Sequence, residues 1–120
     1  MANKIKLGKF GEQIAGQYLI KKGYQILARN YSAREGEIDL ICQKDEVIHF
    51  IEVKTRTNRK FGWPEEAVTD EKLEKIIIAS EKYCQDYKIN SEWQIDIISI
   101  LIDQKTRIAE LGHIKNIAST

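Results

Sequence analysis

The sequence predicts an α/β fold, a mixed β-sheet flanked by helices with elements in the order α-β-β-β-α-β-β. Three observations carry this prediction. Two stretches repeat apolar residues at three- and four-residue spacing, the period of an amphipathic helix. Three runs rich in β-branched residues, bounded by polar turns, lie between them. A strongly apolar run follows the second helix, so hairpin-linked strands are succeeded by a helix and a further strand, the pattern of a mixed sheet covered by helices.

The first helix is expected from about Gly8 to Lys22, because Leu7, Phe10, Ile14 and Tyr18 recur on one face and Gly23 is a suitable stop. Strands are expected over Tyr24 to Asn30, Glu37 to Gln43 and Val47 to Thr55. A loop from Arg56 to Val68 leads to the second helix. Thr69 is its N-cap, Asp70 and Glu71 suit the positive end of the dipole, and Leu73, Ile76, Ile77, Ser80, Tyr83 and Tyr87 mark one face. Trp93 to Ile102 reads as an apolar, central strand, and Arg107 to Leu111 as a short last one.

Composition narrows the function classes. At 120 residues the chain is expected to form one domain, with 42% apolar and 31% charged residues, as in ordinary globular proteins. The longest unbroken apolar run, Ile76 to Ala79, is too short to cross a bilayer, and Met1-Ala2-Asn3-Lys4 opens no secretory apolar segment. Cys42 and Cys84 fall in a strand and a helix and are expected as buried thiols, which fits a reducing cytoplasm. With His49 and His113 the only histidines, partner ligands for zinc are lacking. The net charge of +1 says nothing of nucleic acid. Its distribution says more, because Lys54-Thr-Arg56-Thr-Asn-Arg59-Lys60 carries four cations and no acid, and Lys4, Lys6 and Lys9 form a second basic cluster. Such a run standing alone is solvated surface; beside an acidic site it becomes a phosphate-binding surface.

The chemistry concentrates on the second and third strands. If they turn at Asp45-Glu46, residues whose numbers sum to 91 face each other, which sets Asp39 opposite Glu52 and Glu37 opposite Lys54. Two facing carboxylates repel, so either one takes up a proton or a cation sits between them. Lys54, two residues beyond Glu52 on the same face, is one candidate cation. A hard divalent metal with oxygen ligands is another. The plainer alternative is an ordinary ion-pair network, but these acids end the apolar run Val47-Ile-His-Phe-Ile-Glu52-Val-Lys54, where charge is costly. Glu12 on the first helix has Gly8, Ala15 and Gly16 as its neighbours one turn away. Glycine within a helix costs up to about 1 kcal/mol against alanine, so this pattern implies a close approach to the helix.

Gly8-Lys-Phe-Gly-Glu12-Gln-Ile-Ala15, Arg29-Asn-Tyr31, Gly36-Glu-Ile-Asp39-Leu-Ile and Phe50-Ile-Glu52-Val-Lys54-Thr-Arg56 occur in that order. With them the chain resembles the YraN-like family of bacterial proteins, from about Gly8 to His113. That family is similar to archaeal Holliday-junction resolvases and to the restriction-endonuclease-like fold with its PD-(D/E)xK site. The resemblance implies that Asp39 and Glu52 bind metal, that Lys54 orients the attacking water and steadies charge on the phosphate, and that Glu12 is the helix acid of resolvase-like members. No proline precedes Asp39, and Glu37 adds an acid on the same face that either binds metal or pairs with Lys54.

Two function classes follow. The first is a Mg²⁺-dependent endonuclease, with Mn²⁺ as a substitute, that hydrolyses DNA phosphodiesters. Branched DNA is its implied substrate, Asp39, Glu52 and Glu12 hold the metal, and Arg56, Arg59, Lys60 and Lys72 contact flanking phosphates. The second is a non-catalytic nucleic-acid-binding or protein-interaction module on the same fold. Neither needs a membrane or an organic cofactor, and a resolvase acting on a two-fold junction would need a homodimer. Asp96, which has a matching acid in the family, is expected to order local structure. Phe61 and Trp63 near Pro64 are expected to cover the sheet, and His49, on the face opposite Glu52, to pack.

Overall fold

A computed structural model of the chain describes residues 4–58, 66 and 68–120. The elements are α1 (Lys4–Lys21), β1 (Gln25–Ser32), β2 (Glu37–Lys44), β3 (Val47–Arg56), α2 (Asp70–Asp86), β4 (Trp93–Ile102) and β5 (Ala109–Ser119), the expected order. The expectations for Arg59, Lys60, Phe61, Trp63 and Pro64 lie outside the described residues, as does the side chain of Lys4.

The strands form one five-stranded sheet in the order β1-β2-β3-β4-β5. Every neighbouring pair is antiparallel except β3 and β4, which run parallel because the connection between them is a crossover containing α2. This mixed α/β arrangement is compatible with the restriction-endonuclease-like fold. The β2–β3 hairpin turns at Asp45-Glu46 with both residues in the left-handed region, φ 51° and 66°, the geometry of a two-residue type I′ turn built without glycine. It sets the register at Lys44↔Val47 and carries it to Leu40↔Ile51, so the sum of 91 holds along the ladder.

The helices cover opposite faces. Ala15 and Leu19 of α1 pack on Leu40, Cys42, Ile51, Ile98, Ile100 and Ile102. Ile76, Ala79 and Tyr83 of α2 pack on Ile38, Ile41, Ile48, Phe50, Trp93 and Ile95. Gly23, at φ 92°, ends α1, and the bonds from Gly23 N to Ile20 O and from Tyr24 N to Leu19 O close its last turn. Thr69 caps α2 by accepting a bond from Lys72 N at 3.2 Å. Cys42 is buried and Cys84 half-buried, and both are free thiols. No helix among the described residues is long and apolar enough to cross a membrane.

Three expectations are corrected. Helix α1 begins at Lys4, one turn before Gly8, because Leu7 already packs on the core. The middle of the sheet is β3; β4 lies beside it with β5 covering its other edge. The last strand is Ala109–Ser119, much longer than Arg107 to Leu111, with Arg107 a turn residue at φ 63°. Its polar stretch around Lys115-Asn116 concealed it, since an edge strand needs only partial burial.

Candidate active site

The site begins where β2 leaves β3. Leu40↔Ile51 is the last register pair between them, while Ile38 and Glu37 still pair with Tyr31 and Ser32 of β1. Ile38 and Ile41 both face the α2 cluster although Leu40 and Cys42 face α1, so β2 changes its alternation through Asp39. The separation would strip backbone donors of β3 of their partners. The Asp39 carboxylate replaces one, accepting from Val53 N at 2.8 Å. Asp39 and Glu52 therefore meet in a notch between parted strands, one step beyond the end of the ladder, rather than as a hydrogen-bonded pair.

Glu52, on the central strand, is buried, and its Oε1 lies 2.8 Å from Lys72 Nζ and 3.5 Å from Lys54 Nζ. Lys72 comes from the first turn of α2, held there by the Thr69 cap. Glu12 arrives from α1 and lines the groove beside Asp39, close enough for its charge to act on that carboxyl. A close approach of α1 to β3 makes this possible. A Cβ on Gly11 would collide with Thr55 Oγ1, so any side chain there would have to displace Thr55. The expected crowding at Gly8 and Gly16 is thus redistributed. Gly8 faces open space in the groove, Gly16 lies against the Arg29 guanidinium, and the tightest contact is at Gly11.

Leu7, Gly8, Glu12, Asp39, Glu52, Lys54, Thr55 and Arg56 line a groove of about 550 Å³. A smaller recess of about 220 Å³ continues past Glu12 and Asp39 to Lys9, Arg29 and Asn30. A larger one, about 800 Å³, lies between Thr57-Asn58 and the β4–β5 hairpin, and none of the acids or lysines of the site lines it. Arg29 and Asn30, part of the family-like motif, were missed as neighbours of the acids because periodicity marks them only as strand.

The electrostatics are those of a crowded acidic centre. Burial first, then the charges of Glu52 and Glu12, push the Asp39 carboxyl up to about 7, against the lowering effect of the Val53 amide. Burial and the neighbouring Lys72 bring the Lys54 amine below the usual lysine range, although Glu52 opposes this. Burial alone would lower Lys72 as well, but the Glu52 carboxylate beside it outweighs that and raises it. Thr55 Oγ1 is buried beside these groups with no hydrogen-bond partner among the described residues.

Hard carboxylate oxygens crowded enough to hold a proton near neutrality suit a divalent cation, and Asp39 with Glu52 supplies such a donor pair. As they stand, no three His, Cys, Asp or Glu side chains among the described residues are grouped to hold a metal ion. Glu52 is instead turned to two lysines. Arg56 lines the groove as expected, while Arg59 and Lys60 lie outside the described residues. Glu37 neither faces Lys54 nor joins the groove; it is exposed, paired with Ser32, because β2 has already left β3.

A second buried acid lies nearby with a different environment. Asp96 of β4 is fully buried, and its Oδ2 receives His49 Nδ1 and His113 Nε2, each at 2.9 Å. Its Oδ1 receives Gln94 Nε2 at 2.8 Å and Asn116 N at 2.9 Å. His113 Nδ1 in turn meets the Tyr18 hydroxyl at 2.9 Å, tying α1 to β5. Burial would raise the Asp96 carboxyl, but these donors overcome it and hold it below the usual carboxylate range. Asp96 orders local structure, and His49 packs, with Tyr24 edge-on to its ring.

The model of the family described as "Uncharacterised protein family UPF0102" matches residues 11–100, a span that includes Glu12, Asp39, Glu52, Lys54, Lys72 and Asp96. A UPF0102 protein of Syntrophomonas wolfei is 47% identical over 92% of this chain and 96% of its own length. One of Chloroherpeton thalassium is 41% identical over 91% and 85%. One of Caldicellulosiruptor saccharolyticus is 37% identical over 95% and 98%. The likeness spans the helix, hairpin and crossover that build the groove, and the chain belongs to the UPF0102 (YraN) family.

Proposed function

We propose that this protein is a metal-dependent phosphodiesterase that cuts DNA, with branched DNA as the preferred substrate. One observation carries the reading: three carboxylates and Lys54, from α1, β2 and β3, line one groove with Lys72 of α2 paired to Glu52 beside it, and burial together with the neighbouring acids pushes Asp39 up to about 7. Asp39 and Glu52, joined by Glu12, would hold Mg²⁺ or Mn²⁺. The bound ion would supply Lewis-acid polarisation of the phosphate and a more acidic water. Lys54 lies beside the acids, where its amine orients that water and donates to the phosphate oxygen on which charge develops. Arg56 on the groove wall holds a flanking phosphate, and Arg59 and Lys60 continue the basic run in the sequence.

The test is cleavage of branched, flapped, single-stranded and duplex DNA by purified protein with Mg²⁺ or Mn²⁺. Asp39→Asn and Lys54→Ala are expected to abolish it while DNA binding survives. The competing reading is a nucleic-acid-binding module without catalysis. It is favoured by the ion pairs of Glu52 with Lys72 and Lys54, which neutralise that acid without a metal. DNA binding without cleavage of any of these substrates would establish it.

A further inference from the structure

Lys72 adds to this reading and depends on it. Its ammonium lies 2.8 Å from Glu52 Oε1, closer than the 3.5 Å of Lys54 on the same oxygen. Glu52 is the most enclosed acid of the groove, with 7% of its side chain exposed, whereas 39% of the Lys72 side chain is exposed. One partner is fixed on the central strand; the other reaches in along a flexible stem and has solvent to retreat to. We infer that Lys72 is a resident counter-ion of Glu52 that the metal displaces, and that the displaced ammonium then holds the substrate phosphate beside the metal.

Formal charge shows why the exchange and the phosphate go together. Counted formally, Glu12, Asp39 and Glu52 are balanced by Lys54 and Arg56 of the groove and by Lys72 beside it. A divalent cation adds two positive charges, which the phosphate at the metal and the flanking one at Arg56 neutralise. Lys72 therefore opposes metal binding on its own and favours metal and phosphate together. It also accounts for the present geometry, in which Glu52 is turned to the lysines and the three acids are not grouped about one point. The Thr69 cap fixes the Lys72 backbone, so the exchange needs only side-chain rotation. Lys72 changes partner, from Glu52 to the phosphate, whereas Lys54, on β3 beside the acids, stays put.

Calorimetric titration with Mn²⁺ alone, and DNA binding in Ca²⁺, separate the two roles. Lys72→Met is expected to bind Mn²⁺ about tenfold more tightly than wild type and to bind DNA in Ca²⁺ about tenfold more weakly. Lys72→Gln, which keeps a donor for Glu52, serves if the methionine variant is unstable, and should shift both affinities in the same directions. Lys75→Met, one turn along α2 and paired with Glu71, removes the same charge and should change neither. Wild type and Lys72→Met binding Mn²⁺ equally, with binding lost in Asp39→Asn, would overturn the counter-ion role and leave the metal site standing. Lys75→Met matching Lys72→Met would also overturn it, since net charge would then suffice. No Mn²⁺ binding by either protein would overturn both readings.

Discussion

Two aspartates of one sheet have opposite fates. Asp96 has a donor on every side: two imidazoles, a carboxamide and a backbone amide hold its charge, and it is more acidic than a free carboxylate. Asp39 has one backbone donor and two carboxylate neighbours, and it is far less acidic. Both lie on interior strands, and the fully buried Asp96 is more acidic than the half-buried Asp39, so burial does not decide the difference. What decides it is whether the surroundings were completed by the chain itself. A completed shell makes an acid structural, and an incomplete one leaves it to bind something from outside.

The largest test breaks the completed shell. Asp96→Ala leaves His49, His113, Gln94 and the Asn116 amide facing a void, and should cost about 3–5 kcal/mol in denaturant unfolding. Loss of less than about 1 kcal/mol would show that the network contributes little. Asp39→Asn should act in the opposite direction, raising stability on the order of 2 kcal/mol at pH 8 in chelator. The signs follow from the shifts. Asp39, raised in the folded state, contributes stability that is complete below the unfolded value of about 4 and lost as pH rises through about 7. Asp96, lowered in the folded state, contributes stability present above about 4 and lost as pH falls further. Thermal melts across pH should therefore fall away on both sides, and Asp39→Asn should flatten only the alkaline limb.

Gly11→Ala sharpens the comparison at the helix. Its Cβ would collide with Thr55 Oγ1, at a cost of about 1–3 kcal/mol that Thr55→Ala in the same chain should largely restore. Pushing α1 outward also parts Glu12 from Asp39, so the midpoint of the alkaline limb should move to lower pH. An unmoved midpoint would show that Glu12 does not crowd Asp39. The smallest effect concerns DNA. Replacing Arg56, Arg59 and Lys60 together by alanine should lower affinity and reduce the log–log salt slope by roughly 2–3. An unchanged slope would move the phosphate contacts elsewhere, with Lys6 and Lys9 of α1 the next surface to test.

Much of this site was legible in the sequence because strand pairing is countable. The turn at Asp45-Glu46 and a period of two were enough to bring Asp39 to Glu52, and Lys54 followed. The parting of β2 from β3 was not legible. It depends on Asp39 replacing a backbone partner, a tertiary event with no periodic signal, and it removed Glu37 from the groove. Lys72 was read as a phosphate contact, but its closeness to Glu52 depends on how α2 crosses the sheet. The Asp96 network was equally hidden, since its donors come from β3, β4 and β5 and the length of β5 was itself unreadable from local pattern.

The tight turn at Asp45-Glu46 has a consequence for how such a chain can vary. Its two left-handed residues can be exchanged for others that tolerate that conformation. Their number is another matter. One inserted residue would slip β3 by one position against β2 and send every side chain of β3 to the other face. Glu52 and Lys54 would leave Asp39, and in the same step His49 would leave Asp96. Insertions at this loop tip, ordinarily the most forgiving place in a protein, are therefore constrained by parity, and a single frame of two residues keeps both acids in their different surroundings.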